Sequence, residues 1–445
     1  MWTVAQLGAD LAAGRITSRR LTEQALARIA DPAGEGSRAF MKVYAESALA
    51  DADFSDRLRK NGVRRSPVDG LPVSLKDLFD VAGDVTRVGS KVFEKNPPSK
   101  QDAPVVARLR AAGAVLIGRT NMVEFAFGGV GLNPHYGTPK NPYDRKSGRI
   151  PGGSSSGAAV AQADGMCVMA LGSDTRGSVR GPSALCGVVG FKPTARRVPR
   201  EGVFPLSTTL DSVGPLANSA ACCAAYDAVL SGDPAPLAEL PAKGLRLMLP
   251  RAAALKDLDP EVEQAFQQAL EKLARAGALV TEVAVAAFER QSEYFKSGGY
   301  AGAESYHLHR PWLARIGEYD PRVAKRVLLG KDFLAADYLE LGRLRAQYIS
   351  EIGALCAPFD AMVMPAVPCI APTIADAGRS DEEYFRWNDR INRHSGLVNF
   401  LDGCGVTLPC HAPGSAPVGF LVFGPAMSDR RVLAVAAAVE KTISR

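Results

Sequence analysis

Between residues 102 and 121 the chain reads DAPVVARLRAAGAVLIGRTN, a helical spacing of apolar residues that gives way, after Gly113, to a short apolar run. A glycine at that point stops a helix, and the run that follows has the length and texture of a buried strand. The same change of period recurs. GLPVSLKDLFDV at 70–81 is strand-like and delivers Lys76 just before Asp77. Helices are expected over 18–30, behind Ser18 as N-cap, and over 45–60. The stretch 151–194 reads helix, strand (CVMALGSD), turn, helix (SVRGPSALC), strand (GVVGF). Such alternation specifies an α/β fold, a sheet with helices packed on it.

After residue 231 the texture shifts through SGDPAPLAELPAKG to a further strand-helix-strand unit, with its helix near 258–276. Residues 285–357 are expected to be mainly helical. Strands are expected at 360–368 and 419–425, and a closing helix at about 428–440. Residues 124–150 are dense in Gly, Pro and Asn and read as one long loop, the kind that carries function.

Composition narrows the class. Of 445 residues 47% are apolar and 22% charged, with 43 glycines and 30 prolines, which fits a loop-rich globular enzyme and excludes a disordered chain. The net charge of +6 is scattered. Clusters such as Arg57, Arg59, Lys60, Arg64, Arg65 and Arg196, Arg197, Arg200 lack interleaved aromatics, so no nucleic-acid partner is expected. Eight cysteines in mostly apolar runs, with no C-x-x-C, point to buried thiols. The N-terminus lacks a continuous apolar segment and no run approaches about 18 uncharged apolar residues, so no membrane association is expected and the cytoplasm is the expected compartment. His307-x-His309 has no third ligand pattern beside it, so neither a metal nor another cofactor is expected.

Two serine-glycine turns, GGSSSG at 152–157 and DTRGSVRG at 174–181, carry the chemistry. Backbone with few side chains lets N–H groups approach a ligand and leaves a hydroxyl uncovered. One reading is a G-x-S-x-G elbow with Ser155 as the nucleophile of an esterase-type hydrolase, completed by Asp360 or Asp376 and by His394 or His411. An elbow follows a strand directly, however, and here Pro151 stands two residues before Gly153. The other reading takes Ser178 as nucleophile, with the amides of Thr175, Arg176, Gly177 and Ser178 converging on one oxygen. No histidine lies nearby, so its base would be a lysine.

The resemblance to a known family rests on several separated motifs in family order. They are GLPVSLKD, DAPVVARLRAAGAVLIGRTNMVEFAFG, NPHYGTPKNPYD, PGGSSSGAAVA, GSDTRGSVRGPSALCGVVGFKPT and TLDSVGPLANS, returning at DAMVMPAVPCIAPT and GCGVTLPCHAPGSAPVGFLVFGP. The chain resembles the amidase signature family, serine amidases with a Ser-cisSer-Lys triad, strongly over residues 1–230 and in patches beyond. The resemblance implies one domain over 1–445, with its catalytic core at about 60–230. Residues 231–445 would complete a large mixed sheet flanked by helices on both faces, together with the substrate pocket.

It further implies an amidase acting on a small-molecule amide, R–CO–NH2 or R–CO–NHR′, through an acyl-enzyme. Ser178 matches the nucleophile, Ser154 the bridging serine after a cis peptide, and Lys76 the base. Ser155 matches a residue that hydrogen-bonds this lysine, and Asp174 with Arg180 a pair bracing the nucleophile turn. Thr175, Arg176, Gly177 and Ser178 would form the oxyanion hole. Phe125, Phe127, Gly128, Gly129, His135 and Tyr136 are expected at the substrate pocket, with Tyr300, Tyr306, Trp312 and Trp387 as further lining.

A lysine has an ordinary pKa of about 10.4 and works as a base at neutral pH only when burial disfavours its charge. Lys76, at the end of an apolar strand, is placed for that. Two departures stand out. Many family members have glycine where this chain has Arg176, which is expected to pair with an outer carboxylate, the alternative being a role in closing or charging the pocket. Where the amidase-like subunit of a tRNA-dependent amidotransferase, the alternative function, typically has Gln after the Asp of LDxxGP, this chain has Ser212. A homodimer is compatible with the resemblance.

Overall fold

The structure, a computed structural model, describes residues 3–251 and 254–444. Eleven strands form one sheet. They are β1 (Phe40–Val43), β2 (Pro72–Lys76), β3 (Val115–Thr120), β4 (Met169–Asp174), β5 (Val189–Lys192), β6 (Ser212–Ala217), β7 (Arg246–Arg251), β8 (Leu279–Ala284), β9 (Ala361–Pro365), β10 (Cys404–Pro409) and β11 (Gly419–Gly424). Their order is β1-β3-β2-β4-β6-β5-β10-β11-β9-β7-β8. β2 pairs parallel with β3 and β4, and β7 parallel with β8 and β9; the pairings between β4 and β9 are antiparallel. The mixed sheet expected from the resemblance is therefore present.

Alternation along the strands feeds two separate cores. Leu116, Met169 and Leu171 join a cluster with Tyr226, Leu230, Val432 and Val435, from the helices Ala220–Ser231 and Asp429–Ile443. Val115, Ile117 and Ala170 face Ala158, Ala159 and Val160 of the helix Ser156–Ala163. Both faces are covered, which is why β2, β3 and β4 are buried at every position, the polar Ser74, Lys76, Arg119, Thr120, Ser173 and Asp174 included.

The predicted elements fall close to the observed ones, with instructive differences. The helix Ser18–Ala30 is capped by Thr17, whose side chain accepts from the Arg20 amide; Ser18 is already its first residue, and its hydroxyl donates instead to the Gly70 carbonyl. Gly113, at φ +84°, ends the helix Pro104–Ala111 as expected. β6 carries Gly214 and Pro215 in the middle of the sheet, where proline is disfavoured, so its residues alone do not read as a strand. The β5 ladder reaches β6 only at Ala217 and Leu216, so Pro215 lies beyond the pairing on that side.

Residues 124–150 contain only the 3-10 turn Glu124–Ala126, in which Phe125 (φ 52°) and Ala126 (φ 59°) are both left-handed. Two consecutive non-glycine residues in that region need enforcement by their surroundings. Phe125 has it, held among Phe93, Phe204, His309 and Tyr319. All eight cysteines are free, and no helix among the described residues is long and apolar enough to cross a membrane.

Candidate active site

The parallel strands β2 and β4 end side by side, Leu75 opposite Leu171. Carboxyl ends of parallel strands are where α/β sheets gather their chemistry, because the chain leaves the sheet there and can present side chains. β2 ends on Lys76 and β4 on Asp174. Lys76 is fully buried, and its Nζ lies 2.7 Å from Ser154 Oγ and 2.9 Å from Ser173 Oγ. Burial lowers its pKa to about 7, against the opposing pull of Asp174 and Asp211. A lysine in that state is available as a neutral amine near pH 7.

The Gly153–Ser154 peptide bond is cis. The amide of Gly153 donates to the Gly129 carbonyl, and that of Val123 to the Ser154 carbonyl, fixing this turn against the long loop. The amide of Ser155 donates to the Ser178 carbonyl at 3.3 Å, so the two serine turns lie against each other. The Ser155 hydroxyl does not fill the expected role at the lysine. It donates to the Ser173 carbonyl at 3.4 Å, while the Ser173 hydroxyl takes the place beside Nζ.

Asp174 organises the turn that carries Ser178. Its carboxylate accepts from the amides of Gly177 (2.8 Å), Val179 (3.1 Å) and Arg180 (3.3 Å), from the Arg180 guanidinium at 2.9 and 3.0 Å, and from Asn399 Nδ2 at 2.9 Å. Burial alone would push this carboxyl up; the charge and hydrogen bonds of Arg180, with Lys192 and Asn399, hold it well below the usual carboxylate range. The Gly177 amide is thereby committed, which corrects its expected place in the oxyanion hole. Among the described residues the amides of Thr175, Arg176 and Ser178 have no acceptor.

Gly177 has φ +127°, and a Cβ there would stand 2.0 Å from Ser395 Oγ, which donates to the Arg176 carbonyl. Glycine is required at this position on both counts.

Ser178, 6% exposed, lines a narrow cleft with Phe127, Gly128, Gly129, Thr175, Arg176 and Arg326. Three of the expected pocket residues are therefore there. The other three are not. Phe125 is spent on the aromatic cluster, His135 Nε2 is paired with the buried Glu124 at 2.9 Å, and the Tyr136 hydroxyl reaches the Ser90 carbonyl. From residues 290–400 the cleft takes Ala301, Arg326 and Asn392 rather than Tyr300, Tyr306, Trp312 or Trp387.

The elbow reading finds its groups engaged elsewhere. His394 Nδ1 bonds to the Pro365 carbonyl, His411 Nδ1 accepts from the Val418 amide, and Asp360 pairs with Arg246 and Arg431. Asp211 is a further buried group that its local sequence does not single out. Its buried carboxylate accepts from Thr175 Oγ1 (2.5 Å) and from the amides of Leu206 and Ser207, and burial raises its pKa to about 6.

The eleven-stranded mixed sheet, with a buried lysine at the end of β2 bonded to a serine, defines an enzyme of the amidase type. The Amidase family profile matches residues 20–433, and the chain belongs to that family, a family of hydrolases acting on carbon–nitrogen bonds. It is 36% identical over 405 residues to a 2-amino-5-chloromuconic acid deaminase of Comamonas testosteroni, covering 89% of this chain and 87% of that protein. It is 34% identical over 474 residues to a glutamyl-tRNA(Gln) amidotransferase component of Chromohalobacter salexigens, covering 98% and 95%. A solved amidase superposes with a TM-score of 0.89 at 31% identity, covering 99% of each chain.

Proposed function

We propose that this protein hydrolyses a small carboxylic amide to the acid and ammonia or an amine, through an acyl-enzyme on Ser178. The observation that carries the reading is the pairing of a fully buried Lys76, without a carboxylate bonded to it, with Ser154 Oγ at 2.7 Å. Neutral Nζ takes the Ser154 proton as Ser154 takes that of Ser178, whose oxygen attacks the amide carbonyl. The amides of Thr175, Arg176 and Ser178 are the donors for the developing oxyanion. The relay then runs backward: Lys76, through Ser154, protonates the leaving nitrogen, the C–N bond breaks and the acyl group stays on Ser178. Water enters, gives its proton to the same relay, and its oxygen displaces Ser178 to release the acid.

Trapping tests this directly. Incubation of the purified protein with a slowly deacylated amide or ester, followed by peptide mass mapping, is expected to place the acyl mass on Ser178. Ser178→Ala is expected to lose both adduct and turnover, and an adduct on Ser155 with turnover dependent on a histidine would sink the assignment. A second reading, an amidotransferase component releasing ammonia from glutamine within a complex, draws on the 34% identity to such a protein over most of the chain. Turnover of other amides by the protein alone, without glutamine preference, separates the two.

A further inference from the structure

Arg176 does not pair with an outer carboxylate. Its guanidinium carbon lies over the Phe295 ring, 4.0 Å from the centroid, and its Nε is buried without a hydrogen-bond partner. Arg326 is 8% exposed, with Nη1 donating to Asn388 Oδ1 at 2.7 Å and its guanidinium 4.2 Å over Phe127. Neither makes an ion pair among the described residues, and both line the cleft that holds Ser178. The exposed Asp389, which accepts from Asn388 Nδ2, acts on both only through space.

Arg326 is buried and Arg176 partly so, and an arginine does not escape burial by losing its proton, so each is a cation with incomplete solvation. Aromatic faces recover part of that. The compensation they leave open is an anion, and the planar guanidinium fork matches a carboxylate. On its outer side Arg176 reaches a groove lined also by Arg386, Arg390 and Arg393, and those three, unlike Arg176, have carboxylate partners in Glu383, Asp259 and Asp257.

The side of the substrate follows from the relay. Ser173, the second partner of Lys76, opens onto a different cleft, lined with Thr175, Asp211 and Ser212. The leaving nitrogen takes its proton on the lysine side, so the group that meets the arginines is the acyl group. Resting on the hydrolase reading above, we propose that Arg176 is a specificity-determining residue which, with Arg326, binds a carboxylate on the acyl part of the substrate. The enzyme is then selective for monoamides of dicarboxylic acids or related amido acids.

The experiment compares kcat/KM for succinamate against butyramide and for glutaramate against valeramide, in wild type, Arg176→Gln, Arg176→Lys and Ser178→Ala. Wild type is expected to favour the better of the two amido acids by about a hundredfold over its neutral partner, the range of a charged hydrogen-bonded group. Arg176→Gln is expected to reduce that ratio at least tenfold, with Arg176→Lys between them. A wild-type ratio of one or less, or a ratio that Arg176→Gln leaves in place while lowering both rates together, overturns the proposal. Activity surviving in Ser178→Ala would instead overturn the hydrolase reading.

Calorimetry of wild type with succinate, glutarate and butyrate decides the matter if no amide turns over or if the variants fail to fold. Binding of a dicarboxylate at least tenfold tighter than butyrate, weakening with salt, supports the subsite; equal or absent binding removes it.

Discussion

Lys76 Nζ lies 2.9 Å from the hydroxyl of Ser173, a residue on the neighbouring parallel strand. The amine is therefore held from two sides, by Ser154 toward the nucleophile and by Ser173 away from it. Ser173 is a positioning residue that touches no reacting bond. Ser173→Ala is expected to lower kcat about tenfold, the worth of one orienting hydrogen bond. It is also expected to move the acid limb of the pH profile to lower pH, because an acceptor that favoured the ammonium is gone. A fall in kcat with no movement of that limb would mean that Ser173 only packs.

The acid limb itself reports Lys76. With burial lowering its pKa to about 7 and the neutral amine as the base proposed above, kcat/KM should rise with pH through roughly that value and then level. Asp211, raised to about 6, ionises just below it, touching Thr175 and not the amine. A limb near 4, or one that persists in Lys76→Met at reduced rate, would point to a carboxylate base.

The same burial predicts a trade between activity and stability. Between about pH 7 and the ordinary lysine pKa, the unfolded chain holds a proton on this side chain that the native state lacks, so native stability rises with pH across that window. Lys76→Met removes the buried amine and with it that rise. Turnover should fall at least a thousandfold while stability at pH 7, read by urea unfolding, stays level or increases.

Asp174 and Arg180 are both fully buried and bonded twice to each other. Removing one partner strands the other, so Asp174→Ala should lose about 3–5 kcal/mol in urea unfolding. It should lose activity too, since three turn amides lose their acceptor. A loss under about 1 kcal/mol would show that water replaces the carboxylate.

Gly177→Ala should abolish turnover, both for its φ of +127° and for the clash with Ser395. Adding Ser395→Gly removes the clash alone. Partial recovery in the double variant is the expected result; full recovery would mean that the dihedral is tolerated, and none that the dihedral decides alone.

Much of this is legible in the residues. Helix-strand alternation points to the α/β sheet because β2, β3 and β4 are buried on both faces. Lys76, Ser154 and Ser178 are singled out by the motifs that carry them, and the structure brings Lys76 to Ser154 and the two serine turns together. What stays hidden depends on packing across long separations. β6 hides behind Pro215, harmless only because the β5 ladder stops short of it. Ser173 and Ser155 are neighbours of the lysine in the fold, and nothing local says which hydroxyl turns toward it. His135 and Tyr136 have the chemistry of pocket residues, but Glu124 and the Ser90 carbonyl claim them. Arg176 is expected to pair with an outer carboxylate, and only the fold brings Phe295, from a distant part of the chain, against it.

The helix Asp381–Phe400 touches the nucleophile turn and its surroundings four times over: Asn388 accepts from the Gly129 amide, Asn392 lines the cleft, Ser395 holds the Arg176 carbonyl and Asn399 reaches Asp174. Lys76, Ser154 and Ser178 leave the ribosome long before that helix does. Between the synthesis of Ser178 and that of Asn388, then, the growing polypeptide carries Lys76, Ser154 and Ser178 and none of these four braces.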